Sequence, residues 1–357
     1  MSALADRLIN RIVRGGPITV ADYMAAALDD PDYGYYRQAD PLGTAGDFTT
    51  APEISQLFGE LIGAWLIDCW NQAGKPSPIN LVELGPGRGT LMADIMRVAR
   101  HAPDWLSAVR LHLVEISPRL RQAQAGLLAA HSPQWHDTLS TVPDGPIMLV
   151  ANEFLDAMPI RQLVFWDGTW RERLVGWSEA AGFAFMLSTG PSSLSLLVPA
   201  GLHPEQGSLY ELSPTAIAIG ADIADRVAQH GGAALIIDYG RAESAVGESL
   251  QAVRAHRMVK VLDNPGDADL STHVDFGALS RIAGEAGMQA LGPASQGSFL
   301  NALGIGPRAE RLKRGLTWDA ADAVDQAVER LIAPEKMGDL FKALAITPPG
   351  IIPAGFG

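Results

Sequence analysis

Residues Asn80–Arg100 read NLVELGPGRGTLMADIMRVAR, an apolar run and a helical pattern separated by three glycines in five positions, Gly85, Gly87 and Gly89. A strand, a tight turn and a helix open an α/β sheet, and the turn can hold a dinucleotide, a nucleoside triphosphate, S-adenosylmethionine or nothing. A dinucleotide turn follows G-x-G-x-x-G, and its third glycine would fall at Thr90. A triphosphate loop ends in Gly-Lys-Ser/Thr, and this turn contains no lysine. What remains is an acid, Glu83, followed by glycine at every second position from Gly85 to Gly89.

That order fits the class I methyltransferase turn, where glycines let the backbone approach the methionine end of the ligand without a Cβ in the way. The helix that starts at Thr90 adds free backbone N–H groups. Glu83 can meet the cationic amino-acid moiety directly or through water. A second acid, Glu115, closes the next apolar run, VRLHLVEIS, where an acceptor for the two ribose hydroxyls is expected. Asp137, in QWHDTL beside Trp135 and His136, is the candidate partner of the adenine amino group; the competing reading is a loop acid or helix cap. The plain alternative for the whole turn is a tight strand-to-helix connection.

Working outward, the pattern stays α/β. PRLRQAQAGLLAAH is a helix opened by Pro118, and GPIMLVANEF and AALIIDYG are further strands. Near-continuous apolar strands alternating with helices imply a parallel sheet covered on both faces. Between those last two strands, RQLVFWDGTWRERLVGW carries Asp167-Gly168 between alternating runs, a hairpin signal that places an antiparallel insertion near 160–205. Upstream, MSALADRLINRIVRGG reads as a first helix ending at Gly15-Gly16, with a mitochondrial transit segment as the alternative. Thr19 is the expected N-cap of the next helix. PEISQLFGELIGAWLIDCWNQAG reads as one apolar helix opened by Pro52 and closed by Gly74. The expected organisation is therefore one domain: an N-terminal helical lid segment (1–75), a Rossmann-like core (76–300) with the insertion, and a helical C-terminal cap (301–357).

The net charge of −13 argues against a nucleic-acid or anionic-membrane partner, which calls for a basic face. Hydrophobic residues make up 47% and charged ones 19%, enough apolar material for a large core. No apolar run reaches the ~20 residues that span a bilayer. The single cysteine, Cys69, cannot build a disulfide framework or a cysteine metal site and reads as a core residue; no metal is expected.

Taken together, GDFTTAPEISQLFGELIG, ELGPGRGTLMAD, VEISPRLR, NEFLDAMPI, YELSP, IDYG and LDNPGDADLSTHVDF resemble the MidA-like family, with matching blocks from about Ile18 to Leu303. That family includes the mitochondrial methyltransferase that assists assembly of respiratory complex I. The resemblance implies a protein arginine N-methyltransferase that uses S-adenosylmethionine and acts on a complex I subunit. The short N-terminus favours a bacterial cytoplasmic protein, with the mitochondrial matrix expected in a eukaryote.

An arginine acceptor must be oriented, desolvated on one nitrogen and relieved of a proton, and carboxylates suit this because they grip a guanidinium bidentately. The strand PIMLVANEF ends in Asn152 and Glu153, followed by Phe154 and Asp156. Glu153 is the first candidate for guanidinium binding, Phe154 for stacking, Asn152 for orienting a nitrogen, and Asp156 is next; the bland reading is a turn held by Asn152 and Asp156. Glu211 is a candidate second carboxylate or a helix-start acid. Asp238, Tyr239 and His273 are further candidates for the same cleft, although a lone histidine is more often structural. GDFTTAPEIS, with Asp47, Thr49 and Thr50, is expected to close over the donor as a lid. Three other readings stay open: a methyltransferase of a small molecule or another side chain, a donor-binding assembly chaperone without essential catalysis, and a nicotinamide dehydrogenase, which Thr90 disfavours.

Overall fold

A computed structural model describes residues 2–38 and 49–356. The chain divides into two compact units. One gathers 49–155, 219–242 and 276–357, and the other gathers 1–48, 156–218 and 243–275. Among the described residues, 2–38 group with the insertion and 49–75 with the core.

The core unit holds seven strands: β1 (Ile79–Leu84), β2 (Val109–Val114), β3 (Gln134–His136), β4 (Ile147–Asn152), β5 (Gly232–Arg241), β6 (Gln289–Ser295) and β7 (Phe341–Thr347). Their order is β6-β7-β5-β4-β1-β2-β3. The pairs from β5 to β3 are parallel, and β7 runs antiparallel to both β5 and β6. Every residue of β1 and β4 is buried, as a strand covered on both faces requires. Ile79 and Leu81 of β1, Leu111 and Leu113 of β2, Met148 and Val150 of β4, and Leu235 and Ile237 of β5 share one face. Helices Gln56–Gln72 and Thr90–Ala99 pack on one another in the same cluster, which includes Phe58, Ile62 and Trp65. Each such side chain contributes about 1.5–3 kcal/mol by leaving water.

Two expectations for this unit need correction. The helix expected from Pro52 to Gly74 is broken: Ala51–Ile54 is a separate turn, and Ser55 is extended, its side chain accepting from Leu57 N at 3.2 Å as N-cap of Gln56–Gln72. The C-terminal extension is not wholly helical. Helices Ile305–Lys313 and Trp318–Ile332 are followed by β7, whose Ala343–Ile346 are buried, so the chain end enters the sheet.

The second unit contains a five-stranded antiparallel sheet, not a lone hairpin. Ile18–Thr19, Thr169–Ser178, Arg161–Trp166 and Leu209–Leu212 pair in that order, and Gly182–Pro191 joins Thr169–Ser178. The Asp167-Gly168 turn is present, with φ of 49° and 74° and Trp166 opposite Thr169, as a two-residue hairpin loop demands. Helix Ala3–Gly15 stops at Gly16, and Thr19 forms a capping box with Asp22. Among the described residues no helix is long and apolar enough to cross a membrane.

Candidate donor-binding site

Strand order reverses at β1: β2 and β3 lie to one side of it and β4 to the other. In an open α/β sheet, ligands bind outside the carboxyl ends of the strands at that reversal. There the tips of β2, β1 and β4 present Glu115, Glu83 and Asn152, which the strand alternation puts on the same face. All three are at least nine-tenths buried, with 8%, 3% and 8% of their surface exposed.

Glu83 Oε2 and Asn152 Oδ1 have no hydrogen-bond donor among the described residues. A buried acceptor left unpaired costs about 1–3 kcal/mol, so two at adjacent strand tips mark a place for a ligand rich in donors. Burial, and then the nearby Glu115, push the Glu83 carboxyl up to about 8. A cation beside it would reverse that shift. S-adenosylmethionine carries a sulfonium, an ammonium group and a ribose diol, which are the cation and donors these residues lack; the site fits it.

The turn supports the same ligand. Gly85, Gly87 and Gly89 all have positive φ, and Gly85 N donates to Val114 O at 3.0 Å. Gly85 has a second reason to be glycine: a Cβ there would stand 2.5 Å from Phe154 Cδ2. Glu115 is fixed in place, Oε1 accepting from Ser117 N at 2.7 Å. Burial raises its pKa. Glu115→Ala is expected to weaken S-adenosylhomocysteine binding by about 1–3 kcal/mol through loss of a buried acceptor. Calorimetric titration checks this, and unchanged affinity would remove Glu115 from the site.

Other expected residues are placed differently. Asp137 is 79% exposed and pairs with Arg121 NH2 at 2.6 Å. Thr90 Oγ1 donates to Glu53 Oε1 at 2.5 Å, so it ties the turn to the Ala51–Ile54 segment. Thr49 and Thr50 precede that segment, and Thr50 caps it without a side-chain bond. Asp47 lies outside the described residues. Glu153 has φ of 50°, a left-handed backbone that is uncommon without glycine. Its Oε1 accepts from Ala51 N at 2.8 Å and from Asn152 Nδ2 at 3.1 Å. Asp238 Oδ2 accepts from Phe154 N at 3.1 Å and Leu155 N at 2.8 Å, fixing the chain after β4.

Asp156 and Glu211 belong to the other unit. Burial pushes the Asp156 carboxyl up to about 6. Glu211 is on the strand Leu209–Leu212, not at a helix start. Its oxygens accept from Gln162 Nε2 at 2.8 Å, Leu250 N at 3.2 Å, Ser249 N at 3.0 Å and Ser249 Oγ, which ties neighbouring segments together. His273 is in that unit too, its backbone N donating to Ser249 Oγ at 2.9 Å. Sequence reasoning missed Glu53 and Gln124. Glu53 stands inside the expected lid motif; Gln124 is a fully buried amide in the helix Pro118–Leu127.

A parallel sheet with one reversed strand, an acid-tipped β1, a glycine turn and an acid at the end of β2 define an S-adenosylmethionine-dependent methyltransferase of class I. Residues 61–294, well over half of the chain, match the model of the family Methyltransf_28, described as "Putative S-adenosyl-L-methionine-dependent methyltransferase". The chain belongs to that family, and S-adenosylmethionine is its methyl donor. It is 37% identical over 370 residues to the zebrafish (Danio rerio) protein arginine methyltransferase NDUFAF7, mitochondrial, covering 96% of this chain and 86% of that one. It is 36% identical over 375 residues to the Homo sapiens protein of the same name, covering 98% and 84%. A COG1565 superfamily member from Burkholderia thailandensis, solved with S-adenosyl-homocysteine bound, superposes with a TM-score of 0.83 at 28% identity, covering 98% of this chain and 92% of that one.

Proposed function

We propose that this chain transfers the methyl group of S-adenosylmethionine to an arginine side chain of a protein, and that the acceptor protein is a subunit of respiratory complex I. The observation that carries the donor half is the pair of unpaired buried acceptors, Glu83 Oε2 and Asn152 Oδ1, at the strand reversal. The arginine half is supported by relatives named as protein arginine methyltransferases that this chain matches over nearly its whole length. The complex I subunit follows from the MidA-like resemblance. The compartment is the cytoplasm in a bacterium and the matrix in a mitochondrion.

The bound donor supplies a methyl on a cationic sulfur that leaves as a neutral thioether. The chain's own residues supply the rest. Glu83 and Asn152 would accept from the donor's amino-acid end, and Glu115 from its ribose hydroxyls. Glu153 would pair with the acceptor guanidinium, and its carboxylate would take up the proton that the methylated nitrogen gives up.

Gly87→Val is expected to abolish S-adenosylhomocysteine binding, because a β-branched side chain would occupy the donor's path at a φ of 53°. Titration of a variant shown to melt cooperatively checks it; wild-type affinity would move the site elsewhere. The acceptor is tested by mass spectrometry of complex I subunits from a deletion strain. One arginine should lose its methyl groups and regain them with the wild-type gene, and an unchanged methylation pattern would overturn the assignment.

A further inference from the structure

Gln124 is fully buried in the helix Pro118–Leu127. Half-buried Leu120 and buried Leu128, just past the helix end, flank it at four-residue spacing, so an amide stands between two apolar side chains. Its side chain joins three separate elements. Nε2 donates to Gly87 O of the glycine turn at 2.7 Å and lies 3.4 Å from Glu115 Oε2 at the tip of β2. Oε1 accepts from Trp135 Nε1 of β3 at 2.8 Å. An uncharged amide is suited to this point because it donates through one end to a carbonyl and a carboxylate and accepts an indole N–H at the other. Leucine would fill much of the same volume and make none of these bonds.

We infer that Gln124 is a positioning residue for the methyl donor, locking the glycine turn and the Glu115 carboxylate into the relative arrangement that the donor's two ends require. This rests on the placement of the donor at the glycine turn. Gln124 touches no reacting atom. Its bonds order the turn and the acid before the donor arrives, so that ordering is not subtracted from the binding energy. Its removal therefore raises the donor's Kd and KM together and leaves kcat at saturating donor unchanged.

The test uses the full chain with Gln124→Leu and Gln124→Glu. Gln124→Leu is expected to bind S-adenosylhomocysteine about tenfold more weakly, with an equal rise in KM for S-adenosylmethionine and kcat within about twofold. Gln124→Glu adds a readout that mere packing would not move. An ionised carboxylate at this point opposes Gly87 O and Glu115, whereas a protonated one restores an O–H donor to Gly87 and an acceptor for Trp135. The ratio of its affinity to that of wild type should therefore recover as pH falls from about 8 toward about 5.5. Wild-type affinity in Gln124→Leu, or a ratio in Gln124→Glu that stays flat with pH, overturns the inference; if Gln124→Leu does not fold, Gln124→Glu decides alone. Gly87→Val run in parallel separates the two readings. If it abolishes binding while the Gln124 variants are silent, only the role of Gln124 fails; if it binds normally, the donor is not at the turn and both fail.

Discussion

Glu83→Gln is expected to weaken S-adenosylmethionine binding about 10- to 100-fold above pH 8 and to erase the pH dependence of that binding. In the donor-free wild type the Glu83 carboxyl is held near 8 by burial and by Glu115, so at neutral pH it is mostly protonated. A cationic donor favours the ionised form and draws the pKa down, which means binding expels a proton. Wild-type affinity should rise nearly tenfold per unit as pH increases from about 6, then flatten above about 8. Glutamine imitates the protonated acid and should give a flat, weak profile. Titration in two buffers of different ionisation enthalpy counts the released proton directly; no release, or a flat wild-type profile, would place the cation away from Glu83. Stability of the empty protein moves the other way. A folded-state pKa raised from 4.5 to about 8 contributes stability that is fully present below pH 4.5 and lost as pH rises through about 8. Glu83→Gln should therefore raise Tm more at pH 9 than at pH 5.

Much of this site was legible because its residues lie where local patterns end. Glu83 stands one residue before the end of a buried six-residue strand and Glu115 follows another, and a strand end beside a glycine turn has few structures open to it. The reversal of strand order at β1 then brings the tip of β4, with Asn152, beside the tip of β1 with no further signal required. What stayed hidden depends on contacts between distant segments. FKALAIT (341–347) is a short apolar run that periodicity cannot assign to helix or strand; its pairing partners, β5 and β6, settle it as β7. Ser55 reads as one polar residue in a helical pattern, yet its hydroxyl competes for the backbone and starts a new helix. Gln124 breaks the apolar row between Leu120 and Leu128, a departure visible in the sequence, but its meaning needs Gly87 and Trp135 to be close by. Glu211, read in the sequence as a candidate second carboxylate or a helix-start acid, stands on a strand, and its carboxylate accepts from Gln162, Ser249 and Leu250 of its own unit.

In the proposed function Glu153 is the group that pairs with the acceptor guanidinium, and its surroundings permit two roles that one pair of substitutions separates. Its Oε1 accepts from Ala51 N and Asn152 Nδ2, so it anchors the Ala51–Ile54 segment whatever else it does. Alanine removes both the anchor and the charge. Glutamine keeps an oxygen for Ala51 N and removes only the charge. If the carboxylate grips the acceptor guanidinium, Glu153→Gln should lower kcat by about 100- to 1,000-fold, since a neutral amide neither pairs with the cation nor takes up its proton. Donor affinity should stay within about twofold of wild type, because the segment remains anchored. Glu153→Ala should lose comparable activity and also some donor affinity as the segment comes free. If Glu153→Gln instead methylates at the wild-type rate, the charge is dispensable, Glu153 is an anchor alone, and the search for the guanidinium partner moves to Asp156. If a catalytically dead Glu153→Gln still supports complex I assembly in a deletion strain, the chain's contribution to assembly is that of a donor-binding chaperone. The reading favoured here requires methylation and assembly to be lost together.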